Sequence, residues 1–488
     1  MEFTLSISAS DLLLMLPELL LTGLLCLVLS LDFIVPRMSK HALAWLSIAG
    51  LGGILVALVW MFASGLQGTL FKGMFVLDAL AIFFKIVVVL TMMLVLLVSL
   101  DYLKRIALFR GEYTVMIMLA GLGMLFMASA NDLLSMFITI EFATFGFYIL
   151  VAYLREEDLR SSEAGLKFFV LSVFTAAIMM FGISLIYGET GTIIFPELVA
   201  SRPMLTGGLV IGFLFVAVGL GFKIGAVPFH NWIPDIYQGA PTPITAFLSI
   251  APKAAAFAII LRVFFSTFAQ FKPEWVWLLI GMAALSMTYA NIVAIAQKDI
   301  KRLLAYSGVA QIGNILIGLA AGTKMGGDSV LFYLLTYLVA NFGAFAVVIV
   351  FSNLTGSDRI DDYSGLARRA PFLAAAMLVF LLSLAGVPPL AGFIAKIYVF
   401  TAAMHEGLIP LVIIGLVNII ISMYYYLVVV KKMYIGEPTD RRPIPVSAPM
   451  KAVVYASVAG TLLLGIYPKP FIEWAVASTA IFSHLVGL

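Results

Sequence analysis

An all-α, polytopic membrane protein is the fold class that this sequence predicts, and three observations predict it. Of its 488 residues, 63% are hydrophobic and 11% charged, where soluble chains average about 25% charged and under half apolar; the mean hydropathy is +1.11. Fourteen apolar runs are long enough to cross a hydrocarbon core as helices, which takes about 20 residues each. The basic residues of the connecting loops then divide unevenly, 17 Lys and Arg on one side and 5 on the other. A single missed or invented span would scramble that alternation.

The spans run approximately over 12–31, 42–63, 75–98, 114–131, 133–154, 163–187, 206–238, 242–269, 275–296, 301–321, 329–353, 371–404, 408–430 and 449–467. Only Asn131 and Asp132 separate the fourth from the fifth. The five basic residues of the poorer side are Lys72, Arg202, Lys272, Lys324 and Lys469, so the richer side is expected to be cytoplasmic and both termini to lie outside. The start lacks the basic segment of a cleavable signal peptide, and the first span reads as a retained helix. The longest connections, 188–205, 354–370 and 431–448, are polar and leave no room for a soluble domain.

Composition also removes whole classes of chemistry. Cys26 is the only cysteine, which rules out a disulfide within the chain, an iron–sulfur site and a thiolate zinc site. His41, His230, His405 and His484 are scattered, with no metal-ligand spacing. No Walker motif is present, and the glycines of GLGFKIG sit in a membrane span, where they read as close helix packing.

The stretch that organises the chain is Gly219–Lys253, which carries Lys223, Asp235 and Lys253 together with Pro228, Pro234, Pro241, Pro243 and Pro252. A lysine at mid-bilayer depth costs roughly 3 kcal/mol on insertion scales, so it is a functional candidate by default. A proline breaks the helix, which is tolerated only where protein or a water-filled cavity satisfies the freed backbone groups. Glu141 lies in the fifth span with apolar residues on both sides, and Lys396 lies in the twelfth at similar depth. Burial lowers a lysine's proton affinity and a neighbouring carboxylate restores it, so moving that partner can switch the lysine between holding and releasing a proton. Other intramembrane charges have plainer readings. Arg262, towards the outer end of the eighth span, is expected to snorkel to the interface. Lys85 fits a structural or snorkelling role as well as any other, and Lys167 near the start of the sixth span is explained equally by snorkelling.

A repeat is visible in the breaks. The seventh span is interrupted at Pro228, five residues after Lys223, and the twelfth at Pro388–Pro389, seven residues before Lys396. Five spans apart, the two run in opposite directions, an arrangement typical of a transport site near the midplane. The expected organisation is an N-terminal three-helix segment (1–113), two inverted five-helix repeats (114–270 and 271–433, spans 4–8 and 9–13) and a C-terminal helix and tail (434–488).

FKIGAVPFHNWIPDIYQGAPTPITAFLSIAPKAAAFAIILRVF, KDIKRLLAYSGVAQIG and SLAGVPPLAGFIAKIYVF resemble the corresponding stretches of the subunit N family of respiratory complex I, the proton-translocating NADH:quinone oxidoreductase. The likeness runs over nearly the whole chain. Subunits L and M and the Mrp-type Na+/H+ antiporters share the broken helices, but YQGAPTP, APKAAAF and a lysine rather than a glutamate at 396 look more like N. The resemblance implies that Glu141 is the glutamate of helix 5 and Lys167 its lysine partner on helix 6. It makes Lys223 the central lysine, Lys253 the connecting residue and Lys396 the terminal lysine that exchanges protons with the outer face. Gln311 stands where some relatives carry histidine. It further implies a bacterial inner-membrane subunit that binds no cofactor itself. NADH, FMN, iron–sulfur clusters and quinone would belong to partners: neighbouring antiporter-like and small membrane subunits and, indirectly, the peripheral redox arm. An Mrp-type antiporter subunit and a non-pumping structural subunit remain the alternatives; no feature points to nucleic acid.

Overall fold

Backbone in hydrocarbon must satisfy its own N–H and C=O groups, and the apolar runs accordingly become helices in the computed structural model, which describes residues 9–35, 39–106, 111–201, 203–438, 440 and 442–485. Arg202 and the side chain of His484 lie outside the described residues. The N-terminal segment comprises α1 (Ala9–Leu14), α2 (Leu16–Ile34), α3 (Lys40–Ala63) and α4 (Ala79–Ile106). Next come α5 (Gly111–Ser129), α6 (Leu133–Val151), α7 (Leu159–Thr190), the short α8 (Phe195–Ser201), α9 (Gly207–Ile224), α10 (Trp232–Gly239) and α11 (Thr242–Arg262). The second half holds α12 (Lys272–Ile295), α13 (Ile300–Ala321), α14 (Lys324–Thr355), the single-turn α15 (Leu366–Arg369), α16 (Pro371–Ala385), α17 (Ala391–His405) and α18 (Ile409–Ile435). The chain closes with α19 (Ala448–Ile466) and α20 (Lys469–Ser478).

Thirteen helical spans among the described residues are long and apolar enough to cross a membrane. The expected twelfth span is the pair of shorter apolar helices α16 and α17. One boundary moved for a local reason: the third span was expected to begin at 75, but Phe75–Leu77 (β2) pairs antiparallel with Gly68–Leu70 (β1). The helix therefore starts only at Ala79, where the Asp78 carboxylate accepts the Ala81 N–H at 2.8 Å.

Short polar caps make tight connections between long helices possible. Asp132 accepts the N–H groups of Leu134 and Ser135, which is how two residues suffice between spans 4 and 5. Its backbone bridges to Ile194: Leu133 N–H donates to the Ile193 carbonyl (3.0 Å) and Phe195 N–H to that of Asn131 (3.2 Å). The same pattern recurs at Asp299, with Ile300 N–H on Asp358 (2.8 Å) and Ile360 N–H on Lys298 (2.9 Å). Both loops follow a 32-residue helix, α7 or α14, closed by a left-handed glycine, Gly191 or Gly356. The related words ETGTIIF and LTGSDRI carry this match in the sequence.

Burial is uneven across the bundle. In the most apolar 18-residue window of α7 only 33% of residues are buried, against 100% in α13 and 94% in α14. With α11 at 94%, these three form the interior around which the breaks and buried lysines are arranged.

Candidate functional site

Each break is sealed by protein. At the first, α9 ends at Ile224 and Gly225 takes the left-handed conformation (φ 72°) that a side chain would disfavour. The Ser286 hydroxyl accepts the Val227 N–H (2.9 Å), and the Trp232 indole donates to the Phe222 carbonyl (3.0 Å). At the second, α16 ends at Ala385 and Gly386 is left-handed (φ 89°). Here the ammonium of Lys396 itself covers the freed carbonyls, donating to Leu384 (2.8 Å) and Ala385 (2.9 Å). Both breaks contain a cis proline bond, Val227–Pro228 and Pro388–Pro389. Lys223 sits in the last turn of its half-helix, and Lys396 reaches back from α17 to the end of the half-helix before it. Both ammonium groups are thus at helix C-termini, where a cation is favoured.

Lys223 pairs with Glu141 at 3.1 Å and donates to the Thr144 hydroxyl at 2.9 Å. The partner expected for Glu141 was Lys167, and this is corrected: Lys167 binds Glu163 (2.6 Å) and Asp235 (2.9 Å) instead. Glu163 is one turn before it on α7, and Asp235 is brought to it by the second piece of the broken span, so nearer carboxylates capture its ammonium. Its side chain is 43% exposed. Asp235 also binds Arg302 (2.7 Å) at the start of α13, tying the first half of the chain to the second. Sequence reasoning noted Asp235 and gave it no role; a carboxylate twelve residues past Lys223 in an otherwise apolar stretch was the available signal.

Lys253 is 1% exposed on α11, lies 5.7 Å from the centre of the Tyr237 ring, and has no hydrogen-bond partner for Nζ among the described residues. Gln311 on α13 donates to the Leu384 carbonyl (2.9 Å) that also accepts from Lys396. A cavity of about 470 Å³ opens beside α10, bounded by Tyr102, Glu157, Asp158, Gln238, Lys301 and Asp358. Lys301 closes its floor by donating to the Gln238 and Ala240 carbonyls (2.9 and 2.8 Å).

Two further buried pairs involve the N-terminal segment. Arg262 does not snorkel. It is 4% exposed and grips Asp78 with two bonds of 2.8 Å, and a third contact reaches the Ala128 carbonyl (3.4 Å). A partner 184 residues away in sequence was beyond any helix-by-helix reading. Lys85, fully buried, pairs with Glu18 at 2.6 Å. Among the described residues no cluster of three or more His, Cys, Asp or Glu side chains could hold a metal ion.

Comparison with known proteins places this geometry among relatives. Residues 130–422 match the family described as NADH:quinone oxidoreductase/Mrp antiporter, transmembrane. The chain is 44% identical over 446 residues to an NADH-quinone oxidoreductase subunit N of Heliobacterium modesticaldum, covering 91% of this chain and 94% of that one. It is 42% identical over 490 residues to the subunit N of Desulforamulus reducens, covering all of both. Among solved structures, it is similar to a chain of respiratory complex I from Thermus thermophilus (31% identity, TM-score 0.81, covering 94% of this chain and 99% of that one). It shares its fold with a chain of the Mrp complex from a Dietzia species (22% identity, TM-score 0.85, covering 96% and 97%).

Proposed function

Since this chain belongs to the NADH:quinone oxidoreductase/Mrp antiporter transmembrane family, we propose that it moves protons through a buried Glu/Lys relay as a subunit-N-type membrane subunit of complex I. The observation that carries the relay is the Glu141–Lys223 pair at the broken helix. A charge change arriving from a neighbouring subunit alters the hold of Glu141 on Lys223. The lysine then gives up its proton, which passes by Lys253 to Lys396 and out. Lys167, bound to Glu163 and to Asp235, which also holds Arg302, sets the field around that pair from the cytoplasmic side. The cofactors and quinone belong to partner subunits, so this chain is part of the enzyme without performing its redox step. On this reading it resides in a bacterial inner membrane with both termini outside, and its functional units are 114–270 and 271–433, flanked by 1–113 and 434–488.

Vesicles containing the assembled complex test this. Lys396→Ala, with assembly verified, is expected to lower protons moved per electron by one subunit's share while quinone reduction slows. An unchanged ratio would remove Lys396 from the path. The antiporter alternative predicts Na+/H+ exchange in vesicles holding this chain alone. Finding exchange there would favour it; finding none favours the complex-bound pump.

A further inference from the structure

If Lys223 moves protons as just described, it must not be open to both faces of the membrane at once, because such a site conducts downhill instead of pumping. Its surroundings are unequal on the two sides. A cavity of about 20 Å³, room for a single water, touches Lys223 and is bounded by Phe168, Trp232, Met127 and Pro252 among others. On the cytoplasmic flank the Phe168 and Trp232 rings stack at 5.2 Å. Phe168 follows Lys167 on α7, and Trp232 opens the helix that carries Asp235. The charged side chains gathered there, Lys167, Asp235 and Arg302, are 43%, 39% and 27% exposed. On the opposite flank, Met127 lies at the far end of α5, and Arg262 and Asp78 stand beyond it, 5% and 8% exposed. The contact is direct: the carbonyl of Ala128, next to Met127, accepts from Arg262 at 3.4 Å.

We propose that the Asp78–Arg262 pair is the outer seal of the Lys223 cavity, keeping water and hydronium of the outer face from the central lysine so that it is reached from the cytoplasmic flank alone. The chemistry of the pair suits a seal. Each Asp78 oxygen accepts a guanidinium N–H at 2.8 Å, and one also accepts the Ala81 N–H, so neither oxygen is left without a donor. A guanidinium keeps its protons and cannot hand one on, and an arginine fixed across a narrow path is a barrier to protons and cations. Lys85, fully buried against Glu18, lies within electrostatic reach of both Asp78 and Arg262 and adds a second cation on the same side. The seal joins α4, α5 and α11, which gives the N-terminal helices a part in coupling beyond support.

The test uses the assembled complex in vesicles without electron donor, where the passive decay of an imposed pH gradient is read beside assembly and quinone reduction. Asp78→Asn with Arg262→Met removes both charges and keeps the bulk. Its gradient is expected to decay about tenfold faster than wild type, the factor that goes with ~1.4 kcal/mol off a barrier, while assembly and quinone reduction persist. Adding Lys223→Met, which fills the cavity with an apolar chain of similar length, is expected to close the leak again; a merely structural tie would show neither effect. Should the double variant assemble poorly, Asp78→Asn alone keeps the shape of the pair and is expected to leak to a smaller degree. A gradient held as in wild type by the assembled variants overturns the seal, and so does a leak that Lys223→Met leaves open. Pumping by Lys223→Met alone judges the relay separately: its loss, with a tight membrane, leaves the relay standing whatever becomes of the seal, and normal pumping removes the relay.

Discussion

Lys223→Ala is expected to end proton translocation through this subunit and to slow coupled quinone reduction, because a positioned proton-transfer group contributes roughly 10²–10⁴-fold. The lysine is held by Glu141 at 3.1 Å and by the Thr144 hydroxyl, and among the described residues no second ammonium pairs with that carboxylate, Lys167 being bound to Glu163 and Asp235. Removing it also strands Glu141, whose Oε1 is buried with no hydrogen-bond partner among the described residues. The side chains are 12% and 25% exposed, so losing one member costs less than the roughly 3–5 kcal/mol of a fully buried pair, and assembly must be measured beside pumping. Glu141→Gln with Lys223→Met removes both charges, is expected to restore assembly, and should still not pump. Full pumping in that double variant would make the pair a structural tie and leave the broken helix without a proton role.

The largest expected loss of stability comes from a different pair. Asp78→Ala leaves the Arg262 guanidinium buried against a single backbone carbonyl, where two charge-assisted bonds of 2.8 Å had held it. The cost is about 3–5 kcal/mol, enough to deplete folded protein or uncouple the N-terminal helices from α11. Arg262→Met should cost less, because the freed Asp78 still caps α4 through the Ala81 N–H. Asp78→Asn with Arg262→Met is expected to recover most of the loss. Thermal unfolding and detergent-extracted yield measure both, and a yield for Asp78→Ala equal to wild type would show that the pair is dispensable.

These two pairs differ in how far they could be read in advance. Lys223 announces itself, because a charge beside a proline in an apolar run has no cheap structural explanation. Arg262 carries the same cost but sits near a span end, where snorkelling is an equally good account until Asp78 is seen to reach it. Lys167 shows the converse: its neighbour on the same helix, Glu163, was visible at one-turn spacing, but Asp235 reached it only because α9 breaks and α10 turns back. The proline breaks were plain in the sequence, whereas the likeness of the loops after α7 and α14 showed only when Asp132 and Asp299 were seen making the same backbone bridges.

Sequence by itself determined the membrane class, the fourteen spans, the two breaks and the lysines placed at depth. Each follows from the free energy of moving a residue into hydrocarbon, which depends on that residue and its near neighbours alone. Only the tertiary structure decided which carboxylate holds which lysine and that Arg262 is buried against Asp78. Pairing energies fall off over a few ångströms, and those distances are set by helices packed from opposite ends of the chain.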